Sequence, residues 1–253
     1  MTRISSRAIL LLMYDLTPRQ VGILKLIVKE YIDNAEPVGS ETLEKKHDVG
    51  VSPATIRNEM SEMVKLGYLS KPHTSAGRIP TTKALKLYVN ELMKEKAVSV
   101  ADEVQAKEHI WDFRGNEDKF LRQITKDLAH KTHALAVTTT DAGEVYYAGY
   151  AYILDMPEFY DIDIAKNLLA ILDNTSHFEM IAKRIENDFG IFLGDELELE
   201  VFRPYSFIFS RFDTKSHACK GSIGVVGPAR VKYDSLVPTV KFFGGLIEDV
   251  AEW

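Results

Sequence analysis

Asn58, Arg57, Ser61 and Lys65 stand within one short stretch, Val51 to Lys65, whose other members are mostly small or apolar. A carboxamide carries a donor and an acceptor side by side, which lets Asn58 meet an adenine edge. Ala54 can touch a thymine methyl, and Thr55 and Ser61 can bond to several bases. Arg57 and Lys65 suit phosphate oxygens, which position a protein on a duplex without reading its sequence. This is the chemistry of recognition rather than of bond making.

These groups act together only if a helix presents them. Ser52 can cap such a helix by accepting a hydrogen bond from an unpaired N–H, and Pro53 suits the first helical position, where no donor is needed. Val51 and Ile56 make a hydrophobic staple. At about 100° per residue, Ile56, Met60, Met63 and Val64 share one face, while Ala54, Asn58, Ser61, Glu62 and Lys65 share the other, with Arg57 on its flank. The apolar face must dock on a core, leaving the polar face for a major groove. After Gly67, Tyr68-Leu69-Ser70-Lys71-Pro72-His73 reads as a strand, Thr74-Ser75-Ala76-Gly77 as a hairpin tip, and Arg78-Ile79-Pro80 as the return. The prolines make this an edge ribbon. Lys71, His73 and Arg78, with Thr74 and Ser75 at the tip, would meet the DNA backbone or minor groove.

Upstream, Thr17-Pro18-Arg19-Gln20 is a capping box, and Val21, Leu24, Val28, Tyr31 and Ile32 follow at helical spacing. Asn34-Ala35-Glu36-Pro37 stops that helix. Ser40 then caps a short helix, Glu41 to Lys46, whose N-terminus can face a phosphate, and His47-Asp48-Val49-Gly50 makes the turn. Two helices, a turn, the Ser52 helix and the ribbon predict a winged helix-turn-helix.

The 253 residues allow two modest domains, each with its own core. Net charge is −6, but Met1 to Lys96 holds 15 Lys and Arg against 11 Asp and Glu, a net of +4, and the remainder holds 16 against 26, a net of −10. The positive excess thus accompanies the DNA-reading groups. Cys219 is the only cysteine, which excludes an internal disulfide framework and a multi-cysteine zinc site and fits a reducing cytoplasm. Arg3, Arg7 and the apolar run Ala8 to Met13 imitate a signal peptide, but the run is short and Asp15 follows at once. No membrane span is expected.

Thr81 caps a further helix carrying Leu85, Tyr88, Val89 and Leu92 on one face. The predicted domains are a tail (1–15), the winged helix-turn-helix (16–96), a linker helix (97–131) and a regulatory and dimerisation domain (132–253). In the last, strands are expected over Ala134 to Thr139, Glu144 to Ile153, near Leu197 to Phe202, over Phe207 to Phe212, and at Gly221 to Pro228. Helices are expected over Ile164 to Leu172, Phe178 to Phe189 and Asp234 to Val250. The fold class is α+β in two domains, the second with a mostly antiparallel sheet and flanking helices.

The strings Pro37-Val38-Gly39-Ser40, Val51-Ser52-Pro53-Ala54-Thr55-Ile56-Arg57-Asn58-Glu59-Met60, Gly67-Tyr68-Leu69 and Pro72-His73-Thr74-Ser75-Ala76-Gly77-Arg78-Ile79-Pro80-Thr81 closely resemble the HrcA family of heat-inducible transcription repressors. Met156-Pro157-Glu158-Phe159, Ile191 to Glu196, and Gly224-Val225-Val226-Gly227-Pro228-Ala229-Arg230 with Tyr233 resemble that family's GAF-like regulatory domain. The resemblance implies a homodimeric repressor that binds double-stranded DNA at an inverted repeat, the CIRCE element, upstream of chaperone operons, and whose active form depends on the GroE chaperonin. The family normally carries a long segment, including a domain used for dimerisation, between strands like Ala134 to Thr139 and Glu144 to Ile153. Here Asp141-Ala142-Gly143 alone joins them.

No enzyme and no cofactor or metal site is expected. Gly221, Gly224 and Gly227 have the wrong spacing for a dinucleotide loop, and Pro228 stands where a helix would open. His217 and Cys219 lack further ligating neighbours, and Asp155 and Glu158 read as a charged turn. Phe202, Tyr205, Phe207, Phe209 and Phe212 read as sheet core; lining a metabolite pocket, they would instead make the chain a ligand-gated regulator.

Overall fold

A computed structural model describes residues 15–73, 77–215 and 218–252. The chain divides into two compact units, Met1–Met93 and Lys94–Trp253. Nearly all of the predicted tail, and the tip residues Thr74, Ser75 and Ala76, lie outside the described residues, as does His217.

The first unit is built on helix α1 (Pro18–Asn34). Its capping box forms: the Gln20 N–H donates to Thr17 Oγ1 at 3.2 Å, and the Thr17 N–H donates to Gln20 Oε1 at 2.8 Å. Ala35, left-handed at φ 59°, ends it. Helices α2 (Ser40–Lys46) and α3 (Pro53–Lys65) pack on each other, and α3 packs on α1, around Leu24, Ile27, Leu43, Ile56 and Met63, all fully buried. Strands β1 (Leu69–Ser70) and β2 (Ile79–Pro80) form the antiparallel ribbon, with Leu69 opposite Pro80. Helix α4 (Thr82–Leu87), capped by Thr81, runs on into a π-helical turn, Tyr88–Leu92.

One long-range contact fixes the ribbon. Val38 and Arg78 exchange backbone hydrogen bonds at 2.8 and 2.9 Å, which adds the segment between α1 and α2 to the ribbon. The neighbouring Gly77 lies so close that a Cβ there would meet Val38 O at 2.4 Å. Glu30 holds the far end of α2, taking Lys46 Nζ at 2.7 Å and His47 Nε2 at 3.0 Å.

The second unit is a five-stranded antiparallel sheet in the order β4-β3-β7-β6-β5, from β3 (Leu135–Thr140), β4 (Val145–Ala148), β5 (Phe189–Leu193), β6 (Tyr205–Asp213) and β7 (Lys220–Pro228). Alternation separates its faces. One presents Leu135, Val137, Phe207, Phe209 and Val226 to a core with Phe159, Leu168, Ile171, Phe178 and Ile181. These come from a 3-10 turn (Pro157–Tyr160) and helices α8 (Ile162–Asp173) and α9 (Ser176–Lys183), beside the short α7 (Tyr150–Leu154). The opposite face carries α6 (Glu117–Thr132) and α10 (Tyr233–Val250), with α5 (Val100–Trp111) packed on both. Thr125 on α6 bonds to Thr138 on β3 at 2.7 Å, buried. A Cβ at Gly244 would meet Ser210 Oγ at 2.4 Å, so glycine is what lets α10 lie against β6.

Several expectations change. Residues 97–131 hold two helices, α5 and α6, inside the second unit rather than a linker between domains; the helix that Phe120, Leu121, Ile124 and Leu128 suggest up to Lys131 is α6, and those four side chains are buried in that unit's core. The strand expected over Glu144 to Ile153 stops at Ala148, because Gly149, at φ 89° with Ala134 O 2.3 Å from where a Cβ would stand, turns the chain into α7. The helix expected over Phe178 to Phe189 ends at Lys183, and Asn187 and Asp188 take positive φ before β5. Leu197 to Phe202 is no strand: Leu197 ends one 3-10 turn, Gly194–Leu197, Val201 lies in a second, Glu200–Phe202, and Leu199 is exposed between them, the chain folding back until Gly194 lies against the Phe202 carbonyl. The long family segment has no counterpart between β3 and β4, which form a direct hairpin with Gly143 at φ 92°. The aromatic tract is core, since Phe202, Tyr205, Phe207, Phe209 and Phe212 are all buried. Two resembling strings meet: the Arg230 guanidinium pairs through two nitrogens with the Glu158 carboxylate, its Nη2 2.9 Å from Oε2.

Two predictions follow from the first unit's geometry. Gly77→Ala should cost about 1–3 kcal/mol, because backbone atoms must give way, whereas Gly22→Ala, exposed in α1 with open space at its Cβ, should add about 0.5–1 kcal/mol; urea unfolding followed by far-UV circular dichroism checks both signs. The Lys46 ammonium above all, aided by His47 and opposed by burial, holds the Glu30 carboxyl below its ordinary range. A depressed folded pKa contributes stability above the unfolded value and loses it as pH falls through the folded one. Glu30→Gln should therefore be less stable than the parent near neutrality, and the difference should close below about pH 4.3.

Candidate nucleic-acid interface

Helix α3 begins where its sequence says it must. Ser52 Oγ accepts from the Thr55 N–H at 3.3 Å, and Pro53 takes the first helical position. Ile56, Met60 and Met63 are buried and Val64 half-buried, so the apolar stripe is fully used against α1 and α2. Its rotation is thereby fixed. Ala54, Arg57, Asn58 and Lys65 emerge exposed, with Pro53, Thr55 and Ser61 half-covered beside them.

The C-terminal end of α3 is stitched to the ribbon. Gly67 at φ 78° turns the chain, and the Tyr68 N–H bonds back to Met63 O at 2.9 Å. Thr81 donates its hydroxyl to Gly67 O at 2.7 Å, and Lys83 donates to Leu66 O at 3.1 Å while its ammonium stands 4.1 Å above the Tyr68 ring. A cation at this end also suits the helix dipole. Reading the chain in order missed Lys83 and the Val38 bridge, which together aim the ribbon; the extended Pro37-Val38-Gly39 run was the signal for the bridge.

The hydrogen-bonding state of the face is specific. Ser52 Oγ also lies 3.1 Å from Thr55 Oγ1, so both hydroxyls are already engaged at the cap. Ser61 donates to Arg57 O at 2.9 Å, which leaves its oxygen as an acceptor. Lys65 pairs with Glu62 at 2.7 Å in the open, a contact easily exchanged for a phosphate. Glu59, the other acid of the helix, is turned inward towards Arg19 at 3.4 Å and stays off the polar face. On the ribbon, Lys71 and His73 are exposed. Arg78 is half-buried, bonded through its backbone to Val38 and through Nη1 to Gly77 O at 3.3 Å.

One candidate falls away. Ser40 is not a cap: Gly39 holds that position, Ser40 is the first residue of α2, and it is buried. The serine packs inward instead. Thr74 and Ser75 lie outside the described residues. Nothing resembling a metal centre accompanies the face: among the described residues, no three His, Cys, Asp or Glu side chains gather closely enough to hold an ion. No helix among them is long and apolar enough to cross a membrane.

Comparison with known proteins gives the affiliation. The heat-inducible transcription repressor HrcA of Clostridioides difficile is 47% identical over 118 residues, 44% of this chain and 35% of that relative. The repressor of the same name from Caldanaerobacter subterraneus subsp. tengcongensis is 26% identical over 320 positions, covering 88% of this chain and 93% of the relative. That alignment is longer than this chain's 253 residues, so stretches of the relative have no counterpart here and the chain is a shortened member. In fold, the chain resembles a crystal structure of a hypothetical protein at a TM-score of 0.73, with 17% identity, covering 93% of this chain and 98% of that one. The family model for the HrcA protein C terminal domain matches residues 77–237, well over half the sequence, and the chain accordingly belongs to the HrcA family.

Proposed function

We propose that this chain is a transcriptional repressor of heat-shock operons that works by sequence-specific binding to duplex DNA. The observation that carries the reading is the exposed polar face of α3, with Asn58, Arg57, Ala54 and Lys65 outward while Ile56, Met60 and Met63 fix its rotation. In this reading the first unit is a winged helix-turn-helix. Helix α3 enters the major groove, Asn58 reads an adenine, Ala54 meets a thymine methyl, and Thr55 and Ser61 contribute base-edge contacts. Arg57 and Lys65 hold phosphates, and Lys71, His73 and Arg78 engage the backbone or minor groove beside them. The repressors of this name among its relatives support the reading, as does the excess of positive charge before Lys96.

One α3 reads one half-site, so useful affinity requires two copies. The operator is a CIRCE-type inverted repeat, and the protein acts in the cytoplasm as a homodimer joined through the second unit, whose helix-flanked antiparallel sheet is read as a GAF-like regulatory domain. Its release on warming follows from marginal stability: a loss of about 1–2 kcal/mol markedly depletes the DNA-competent form, and the GroE chaperonin restores it by refolding. The role is regulatory rather than catalytic.

Variants separate the two kinds of contact. Asn58→Ala should weaken operator binding by about 1–3 kcal/mol and relax the preference at one base pair of each half-site. Arg57→Ala should weaken binding to every sequence alike and reduce the slope of log K against log salt by about one per half-site. Competition binding with a single-substitution operator series, repeated across salt concentrations, checks both. A uniform loss in Asn58→Ala, with the sequence preference intact, would remove the assigned base contact.

A further inference from the structure

A cavity of about 270 Å³ lies within the second unit, walled by α5, α6 and α10. It is on the side of the sheet opposite the aromatic core, and no family string or recognition residue lines it. We propose that this cavity binds a compact organic cation, one carrying N–H donors on a flat apolar body.

The polar groups of the cavity differ in how fully they are satisfied. Asp102 is complete: it pairs with Lys131 at 2.5 Å and accepts the Ser99 hydroxyl at 2.7 Å, which holds its carboxyl below the ordinary range. Asp127 is half complete. Its Oδ1 accepts from Gln123 Nε2 at 2.9 Å and faces His109 Nδ1 at 3.6 Å, but its Oδ2 is buried with no hydrogen-bond partner among the described residues. A buried acceptor left unbonded is costly, and one beside a cavity marks where a donor belongs. With Asp102 paired to Lys131, Asp127 is the carboxylate of the cavity that keeps one oxygen open to a donor, while His109 stands against its other oxygen and His130 and His133 also line the wall. Burial pushes its carboxyl up, and a bound cation would favour the ionised form.

The apolar wall supplies the rest. Phe243 is buried and Phe242 half-buried, their rings edge to face with centroids 5.5 Å apart. An aromatic face attracts a cation and covers a flat body. The volume falls below the roughly 300–1,000 Å³ of drug-sized sites, so the ligand is fragment-sized. An anion would meet the Asp127 carboxylate, and a metal ion would lack the required trio of ligating side chains. Amidinium or primary ammonium chemistry remains. Within the same unit, the segment leading into α5 is tied to α10: Lys96 Nζ pairs with Asp234 at 2.8 Å, and Lys241 on α10 pairs with Glu95 at 2.7 Å.

Benzamidine, benzamide and benzoate share one shape and carry one, zero and minus one charge. Calorimetric titration of each into the full chain near neutral pH, at matched ionic strength and without DNA, tests the assignment. Benzamidine should bind saturably at one site per chain, more tightly than benzamide, with benzoate weakest. Asp127→Asn should weaken benzamidine by about tenfold or more, and Phe242→Leu, which keeps the bulk and removes the ring, should weaken it as well. Equal or tighter binding of benzoate, an unchanged affinity in both variants, or no saturable binding of benzamidine would overturn the proposal. Circular dichroism of each variant establishes folding, and if Asp127→Asn fails to fold, Phe242→Leu and the charge ranking of the three probes decide.

Discussion

The rotation of α3 is the constraint on which the proposed recognition surface depends. Ile56, Met60 and Met63 occupy a single stripe, and each is buried against α1 and α2 to 3% exposure or less. A turn of the helix about its axis would lift these side chains into water at a cost of about 1.5–3 kcal/mol each, so Asn58 and Arg57 can point only outward. The same packing explains why the polar face needs no rigid hydrogen-bond network of its own. Asn58 and Arg57 stand exposed on a backbone whose position the buried stripe fixes.

The ribbon is held by a different kind of force. Strands β1 and β2 are two residues each, too short to be stable alone. The Val38–Arg78 bridge, the close approach at Gly77, and the Thr81 and Lys83 contacts to the end of α3 convert that short ladder into part of the core. Backbone hydrogen bonds thus orient the ribbon, while apolar burial orients the helix. The second unit combines both: its sheet is closed on one face by aromatic and aliphatic side chains and on the other by α6 and α10, where glycine and threonine let helix and strand come close.

How much of this the sequence disclosed follows the range of the interaction. The caps at Thr17, Ser52 and Thr81 were legible because their partners lie three residues away. The two faces of α3 were legible because helical periodicity is local. Long-range contacts were less so: the extended Pro37-Val38-Gly39 run signals a bridge without naming Arg78 as its partner, and Ser40 looked like a cap although Gly39 holds that position. Alternation misled at Leu197 to Phe202, where a close approach at Gly194 bends the chain back, and at Glu144 to Ile153, where one left-handed glycine changes the period from two to helical. Asp102, Asp127 and Phe242 come from three separate helices, so the cavity they share left no trace in the order of residues.

The central claim is that two copies of this recognition surface read an inverted repeat even though β3 and β4 are joined by one tight hairpin. Fluorescence anisotropy of the full chain on three labelled duplexes, an intact CIRCE-type repeat, a single half-site and a scrambled sequence, measured at several salt concentrations, addresses it directly. The account predicts tight binding to the intact repeat, much weaker binding to the half-site and weaker still to the scramble. Equal affinity for all three, falling steeply together with salt, would reduce the interaction to phosphate neutralisation and contradict the account.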